Sequence, residues 1–300
     1  MATGEGWGDR LRELAAQMRP TERATVRVAG MRPDGAYSAW ATIPLDEFLA
    51  KVQSPWFPQL LNRGLLTMHF QPIVDLATGS TFAFEALTRA ALGERNFSAG
   101  EVISAARGHQ AIFQFDQVAR REAILQGFPS LEPDERLFIN FMPQVIYDPE
   151  VCLARTWAAA RKVGCNLSSL VFEVLETEDF PDLDHLRTIL DAYRNRGAEV
   201  ALDDVGTGKT ALSYIDELRP NYIKMARDLL PLRPTSKDLS IVAGIIDHAH
   251  HRGIKVLMEG IETEEQVLAA QTLGAELAQG FYFGRPAREM VRPSTRRAAA

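Results

Sequence analysis

Eight short apolar or β-branched runs recur along the chain, and helical patterns separate most of them. The runs cover residues 66–74, 81–87, 136–141, 170–175, 199–202, 222–225, 255–258 and 280–283. The spacing of apolar residues predicts helices over 100–106, 115–125, 149–163, 183–196, 211–218, 238–250 and 264–273. Strand–helix alternation of this length predicts a parallel α/β sheet. About eight units suit a closed (β/α)8 barrel better than an open sheet. No G-x-G-x-x-G follows the first strand, so the open dinucleotide-binding alternative lacks its usual support.

Most of the central runs end in an oxygen donor: Glu85, Asn140, Glu173, the pair Asp203 and Asp204, and Glu259, with Lys224 as the one basic member. Any one acid at a strand end reads as a solvated loop residue or a helix cap. Recurring at the same position in consecutive units, they read as one shared site, because parallel barrel strands end at a common rim. Carboxylates brought this close repel one another unless cations neutralise them. Hard oxygen donors without a His or Cys cluster suit Mg²⁺, Mn²⁺ or Ca²⁺ rather than Zn²⁺. The donors exceed what one Mg²⁺ takes from protein. Two ions are therefore expected, as recurs in phosphodiester cleavage. Asp203 and Asp204 are adjacent and would normally face opposite ways. Both reach one site only if the chain is already turning, and Gly206-Thr207-Gly208 follows at once. Lys224 reads either as a salt-bridge partner or as the group that holds the attacking water or neutralises phosphate. Glu259 reads equally as proton acceptor or metal ligand.

The N-terminal part follows a different pattern. Residues 9–18 read as a helix stopped by Pro20, and residues 24–29 and 37–43 as strands joined by the Pro33-Asp34-Gly35 turn. The expected division is an extension over 1–54 with a helix and a β-hairpin, a barrel over 55–290, and a fraying tail over 291–300. A formal net charge of −6 offers no basic field for long nucleic acid. No apolar run approaches the ~18–20 residues of a membrane span, and the N-terminus has no apolar signal core. A cytoplasmic protein without membrane attachment is expected. Cys152 and Cys165 form no C-x-x-C pair and read as two small buried thiols. His248, His250 and His251 lie at a helix C-terminus, where they complement the dipole rather than bind metal.

The ordered motifs resemble the EAL family. They begin with Gln71-Pro72-Ile73-Val74-Asp75 and Glu85-Ala86-Leu87-Thr88-Arg89. They continue through Asn140, Glu173-x-x-Glu176, Asp203-Asp204-x-Gly206-Thr207-Gly208, Lys224, Glu259-Gly260-Ile261-Glu262-Thr263 and Ala278-Gln279-Gly280. The resemblance implies a modified TIM (β/α)8 barrel whose first strand is antiparallel. It implies hydrolysis of cyclic di-GMP to linear pGpG with Mg²⁺ or Mn²⁺, two ions per site; Ca²⁺ is expected to inhibit, because its looser coordination holds water less strictly. By this likeness Glu85, Asn140, Glu173, Asp203, Asp204 and Glu259 are metal ligands, and Lys224 orients the nucleophilic water. Gln71, Arg89 and Gln279 meet substrate, Glu176 steadies the Asp203-Asp204 loop, and Glu262 supports the site. A homodimer follows from the likeness alone. The chain departs from the family at Val205, where Phe is usual, at Lys209 and Thr210, and at Ala226, where Asp would follow Lys224 by two residues. None of these removes a metal ligand. A catalytically weak or inactive receptor for cyclic di-GMP is the alternative reading.

Overall fold

The computed structural model describes residues 7–29, 42–175, 182–206, 211–230 and 236–293. Contacts group the chain into two compact units, Met1–Leu66 with Arg89–Phe115, and Thr67–Thr88 with Asp116–Ala300. In the first unit, α1 (Trp7–Ala16) and α2 (Pro20–Thr25) precede β1 (Arg27–Val28) and β2 (Ile43–Pro44), then α3 (Leu45–Gln53), α4 (Phe57–Asn62) and α5 (Ala99–Gly108). Pro20 opens α2, because the first helical position needs no amide hydrogen. The strand expected over 24–29 therefore shrinks to β1, which pairs antiparallel with β2. The turn expected between them falls in residues 30–41, outside the described residues, as does 294–300 of the tail. Ala15, Leu45 and Leu49 form a small core joined by Leu11 and Met18, whereas Leu14, which the helical spacing groups with Leu11 and Met18, stands 58% exposed. Ser98 caps α5 reciprocally: its hydroxyl accepts from Glu101 N, and the Glu101 carboxylate accepts from Ser98 N.

The larger sheet contains β3 (Leu66–Asp75), β4 (Thr81–Leu92), β5 (Arg95–Phe97), β6 (Arg136–Asn140), β7 (Leu170–Leu175), β8 (Glu199–Val205), β9 (Tyr222–Met225), β10 (Lys255–Met258) and β11 (Leu277–Gln279). Around them run α6 (Ile112–Gly127), α7 (Pro149–Cys152), α8 (Ala154–Lys162), α9 (Leu183–Arg194), α10 (Ala211–Leu218), α11 (Ser236–His250) and α12 (Glu264–Leu273). The strand order β3-β11-β10-β9-β8-β7-β6-β4 is closed by a β3–β4 pairing, and β5 extends only the far end of β4. Neighbours from β4 round to β11 are parallel, whereas β3 runs antiparallel to β11. This is the expected barrel with a reversed first strand.

The last strand lies three residues earlier than the sequence suggests. Residues 280–283 form a turn in which Phe283 N donates to Gly280 O at 3.1 Å. The physical reason lies at Gly280, where a Cβ would fall 2.0 Å from Ile261 O and 2.3 Å from Ile261 N. The backbones touch, so the chain leaves the sheet there. Inside the barrel, Ile73, Ala83, Phe138, Val171, Ala201, Tyr222, Leu257 and Leu277 form one buried layer, one residue from each strand of the ring. Burying large apolar side chains in this way stabilises the fold by roughly 1.5–3 kcal/mol each.

Candidate active site

Strand side chains alternate faces, so the residue two positions beyond an inward residue also points inward. Two positions past the apolar layer stand Glu85, Asn140, Glu173, Asp203, Lys224, Glu259 and Gln279. On the reversed strand β3 the same step is taken backwards and gives Gln71. A polar layer thus lies directly above an apolar one, at the rim where the parallel strands end.

Lys224 Nζ sits among four carboxylates. It lies 2.9 Å from Glu173 Oε2, 2.9 Å from Glu259 Oε1, 3.0 Å from Asp203 Oδ1 and 3.5 Å from Glu85 Oε2. Asn140 Nδ2 donates to Glu85 Oε1 and to Glu173 Oε1, both at 3.1 Å. Gln279 Nε2 donates to Glu85 Oε2 at 2.8 Å and to Gln71 Oε1 at 3.3 Å, while Gln71 Nε2 donates to Gly284 O. The question posed by adjacent Asp203 and Asp204 has a backbone answer. The β8–β9 register shifts between Leu202 and Val205, and Asp204 takes φ +58°. That left-handed residue bends the strand, and Asp203, Asp204 and Glu259 each offer an oxygen within 4.8 Å of the others. Arg89 lies four residues beyond Glu85 on β4 and belongs to the first compact unit. Glu176, Thr207, Gly208, Lys209 and Thr210 lie outside the described residues.

The ring is short of positive charge. Burial pushes the Glu173 carboxyl well above its usual range; Lys224 opposes this, while Glu85 and Asp203 add to it. Burial likewise raises Asp203, against Lys224 and with help from Glu85 and Asp204. Glu259 is pushed up to about 8, by burial first, with Lys224 opposing and Asp203 and Glu85 reinforcing. Burial would raise Glu85 too, but Lys224, Gln279 and Asn140 together outweigh it and hold that carboxyl low. Burial disfavours the Lys224 ammonium, yet the surrounding carboxylates dominate and raise it well above the ordinary lysine value. One ammonium cannot balance this many acids. Glu173 Oε2 is buried and receives no well-aligned hydrogen bond, so its 2.9 Å approach to Lys224 is a Coulombic contact rather than a directed one. An excess of hard oxygen donors with an unsatisfied buried carboxylate oxygen fits a divalent cation.

Several residues that shape the site were not evident from strand ends. The cleft over the ring is lined by Gln71, Glu85, Glu259, Glu262 and Gln279, and also by Arg227, Gly260 and Phe281. Glu262 has a definite partner: Arg227 Nη2 donates to its Oε1 at 2.6 Å. A second support comes from α6. Asp116 and Arg120 are buried at 2% and 0% exposure; both Nε and Nη2 of Arg120 donate to Asp116 Oδ2, and Nη1 donates to Thr156 Oγ1. Asp116 Oδ1 accepts from Met142 N at 2.9 Å, two residues after Asn140. An Asp four residues before an Arg on a helix was the available sequence clue. The three histidines each have separate partners: His248 meets Asp216, His250 meets Glu276, and His251 meets the carbonyl of Asp247.

The EAL domain family matches residues 56–286, and the chain belongs to that family. It is 29% identical over 242 residues to the cyclic di-GMP phosphodiesterase NbdA of Pseudomonas aeruginosa, a match that covers 76% of this chain and 30% of NbdA. Among solved structures, a standalone EAL protein from Vibrio cholerae O395 in its c-di-GMP-bound form is similar at TM-score 0.69 and 32% identity, covering 75% of this chain and 94% of that one. The PaMucR phosphodiesterase, in a c-di-GMP complex, is similar at TM-score 0.70 and 26% identity, covering 79% and 96%. The match to NbdA spans less than a third of that protein's length, whereas the two solved chains are spanned almost completely.

Proposed function

We propose that this chain hydrolyses cyclic di-GMP to linear pGpG with Mg²⁺ or Mn²⁺, through residues 55–290, with 1–54 as an extension. The observation that carries this reading is the ring of Glu85, Glu173, Asp203 and Glu259 within 3.5 Å of Lys224 Nζ. Glu85, Asn140, Glu173, Asp203, Asp204 and Glu259 would hold two ions. Bound, these would supply the positive charge that a phosphodiester needs and the Lewis acidity that makes water nucleophilic near neutral pH. Lys224, released from part of its carboxylate contact, orients a water toward phosphorus and faces the developing negative charge. Glu259 stands beside Lys224 and can take the proton that water loses. Water oxygen bonds to phosphorus, the phosphorus–oxygen bond to one sugar breaks, and that sugar oxygen gains a proton to leave the linear dinucleotide. Gln71 and Gln279, linked to each other and to Glu85, present amides to the nucleotide. Arg89, carried further along the same strand as Glu85, pairs with phosphate.

The test is product analysis with cyclic di-GMP in Mg²⁺, Mn²⁺ and Ca²⁺. Turnover to pGpG is expected with the first two. Little is expected with Ca²⁺, whose looser coordination fixes water less strictly. Glu85→Ala should lose turnover altogether. Binding without turnover at saturating metal would instead make the chain a cyclic di-GMP receptor, the outcome to which Ala226 points.

A further inference from the structure

The acid-lined cleft has one basic side chain among its described lining residues, and it is Arg227. Arg227 opens the short turn Arg227–Leu229 that follows β9, and its side chain is 62% exposed. Its stem lies directly on Gly260: a Cβ there would fall 2.2 Å from Arg227 Cγ and 2.9 Å from Cδ. Gly260 also takes φ +68°, which suits glycine. The arginine therefore crosses the backbone immediately after Glu259, and Glu262 anchors its Nη2 at 2.6 Å. The frame beneath it is fixed. Buried Gln266 accepts from Glu262 N and Thr263 N through Oε1 and donates to Leu230 O through Nε2, so it ties the loop after β10 to the turn that carries Arg227.

A cation held this firmly at the mouth of an acidic cleft has a chemical consequence. The ring below takes one phosphodiester of a cyclic dinucleotide. The second phosphodiester carries its own negative charge and has to lie outside the ring, at the cleft mouth, where Glu262 would repel it. We propose that Arg227 is the clamp for this second, unbroken phosphate, and that it selects ligands carrying two phosphates over simple diesters. This rests on the phosphodiesterase reading above. The charge and fork geometry of a guanidinium suit phosphate oxygens, and Nε and Nη1 are not committed to Glu262.

The test compares cyclic di-GMP with bis(p-nitrophenyl) phosphate, a diester with a single phosphate, for the wild-type chain, Arg227→Met and Arg227→Lys. Methionine keeps most of the stem over Gly260 and removes the charge; melting temperatures check that the loop still packs. Arg227→Met should lower kcat/KM on cyclic di-GMP roughly ten- to hundredfold, mainly through KM, as expected for one charged hydrogen-bonding group. The loss on the single-phosphate diester should be at least tenfold smaller, and Arg227→Lys should fall between wild type and Met. Equal losses on both substrates would reduce Arg227 to a prop for the Glu259 loop and overturn the proposal, as would no loss on either. Overturning would also follow if Arg227→Met kept its KM for cyclic di-GMP but no longer distinguished it from cyclic di-AMP, because the contact would then be to the base. If wild type turns over neither substrate, the phosphodiesterase reading fails separately. Calorimetric binding of cyclic di-GMP in Ca²⁺ then decides the clamp: a tenfold or greater weakening in Arg227→Met supports it, and unchanged or absent wild-type binding refutes it.

Discussion

Lys224 and the carboxylates around it make the chain's stability depend on both pH and metal. Glu173, Asp203 and Glu259 bind protons more tightly folded than unfolded, Glu259 rising from 4.5 to about 8. Between those limits the folded metal-free chain holds extra protons. Their contribution to stability is present in full below the ordinary carboxylate range and is lost as pH climbs toward 8. Glu85, held low, contributes in the opposite sense only in more acidic solution. Calorimetry in EDTA should therefore show the melting temperature falling from about pH 5 to about pH 8. Adding Mg²⁺ or Mn²⁺ at the upper end should raise it and release protons in a weakly buffered titration. A metal-free melting temperature that rises across this interval would contradict the charge balance described. Most of these side chains were legible from their position after apolar runs, because the two-residue period of a strand fixes which of them face inward. Arg227 was not, since it stands beyond the end of β9, where no periodicity operates.

Among the secondary-structure elements, the informative ones are those that depart from regular geometry. The alternation of runs and helical spacings was enough to foresee the barrel, but not where β11 stops or how β8 carries two acids to one place. Both outcomes depend on close backbone approach and a local left-handed residue, which apolar patterning does not encode. Gly280→Ala tests the first directly. Its Cβ would meet the Ile261 backbone, which cannot rotate away, so the cost should lie near or above the upper end of ~1–3 kcal/mol for overpacking. Urea denaturation measures it, and a change below half of that would mean the loop after β10 is free to move. Asp116→Ala leaves Arg120 buried without its ion-pair partner and frees Met142 N. A loss of about 3–5 kcal/mol is expected by the same method, with weaker Mn²⁺ binding through the displaced Asn140.

For the molecule as a whole, no described helix is long and apolar enough to cross a membrane. Ligand linkage gives an overall test that needs no turnover. Cyclic di-GMP at a hundred times its dissociation constant, in Ca²⁺, should add about 2.7 kcal/mol to unfolding. A thermal shift absent in Glu85→Ala and present in wild type would place the ligand at the barrel mouth; equal shifts in both would move it elsewhere. The lysine at the centre of the ring has one more consequence. A polypeptide that carries part of the neutralising charge itself asks less of its surroundings. Its activity could then follow the free-ion level of its surroundings reversibly, without any molecule being unfolded or replaced.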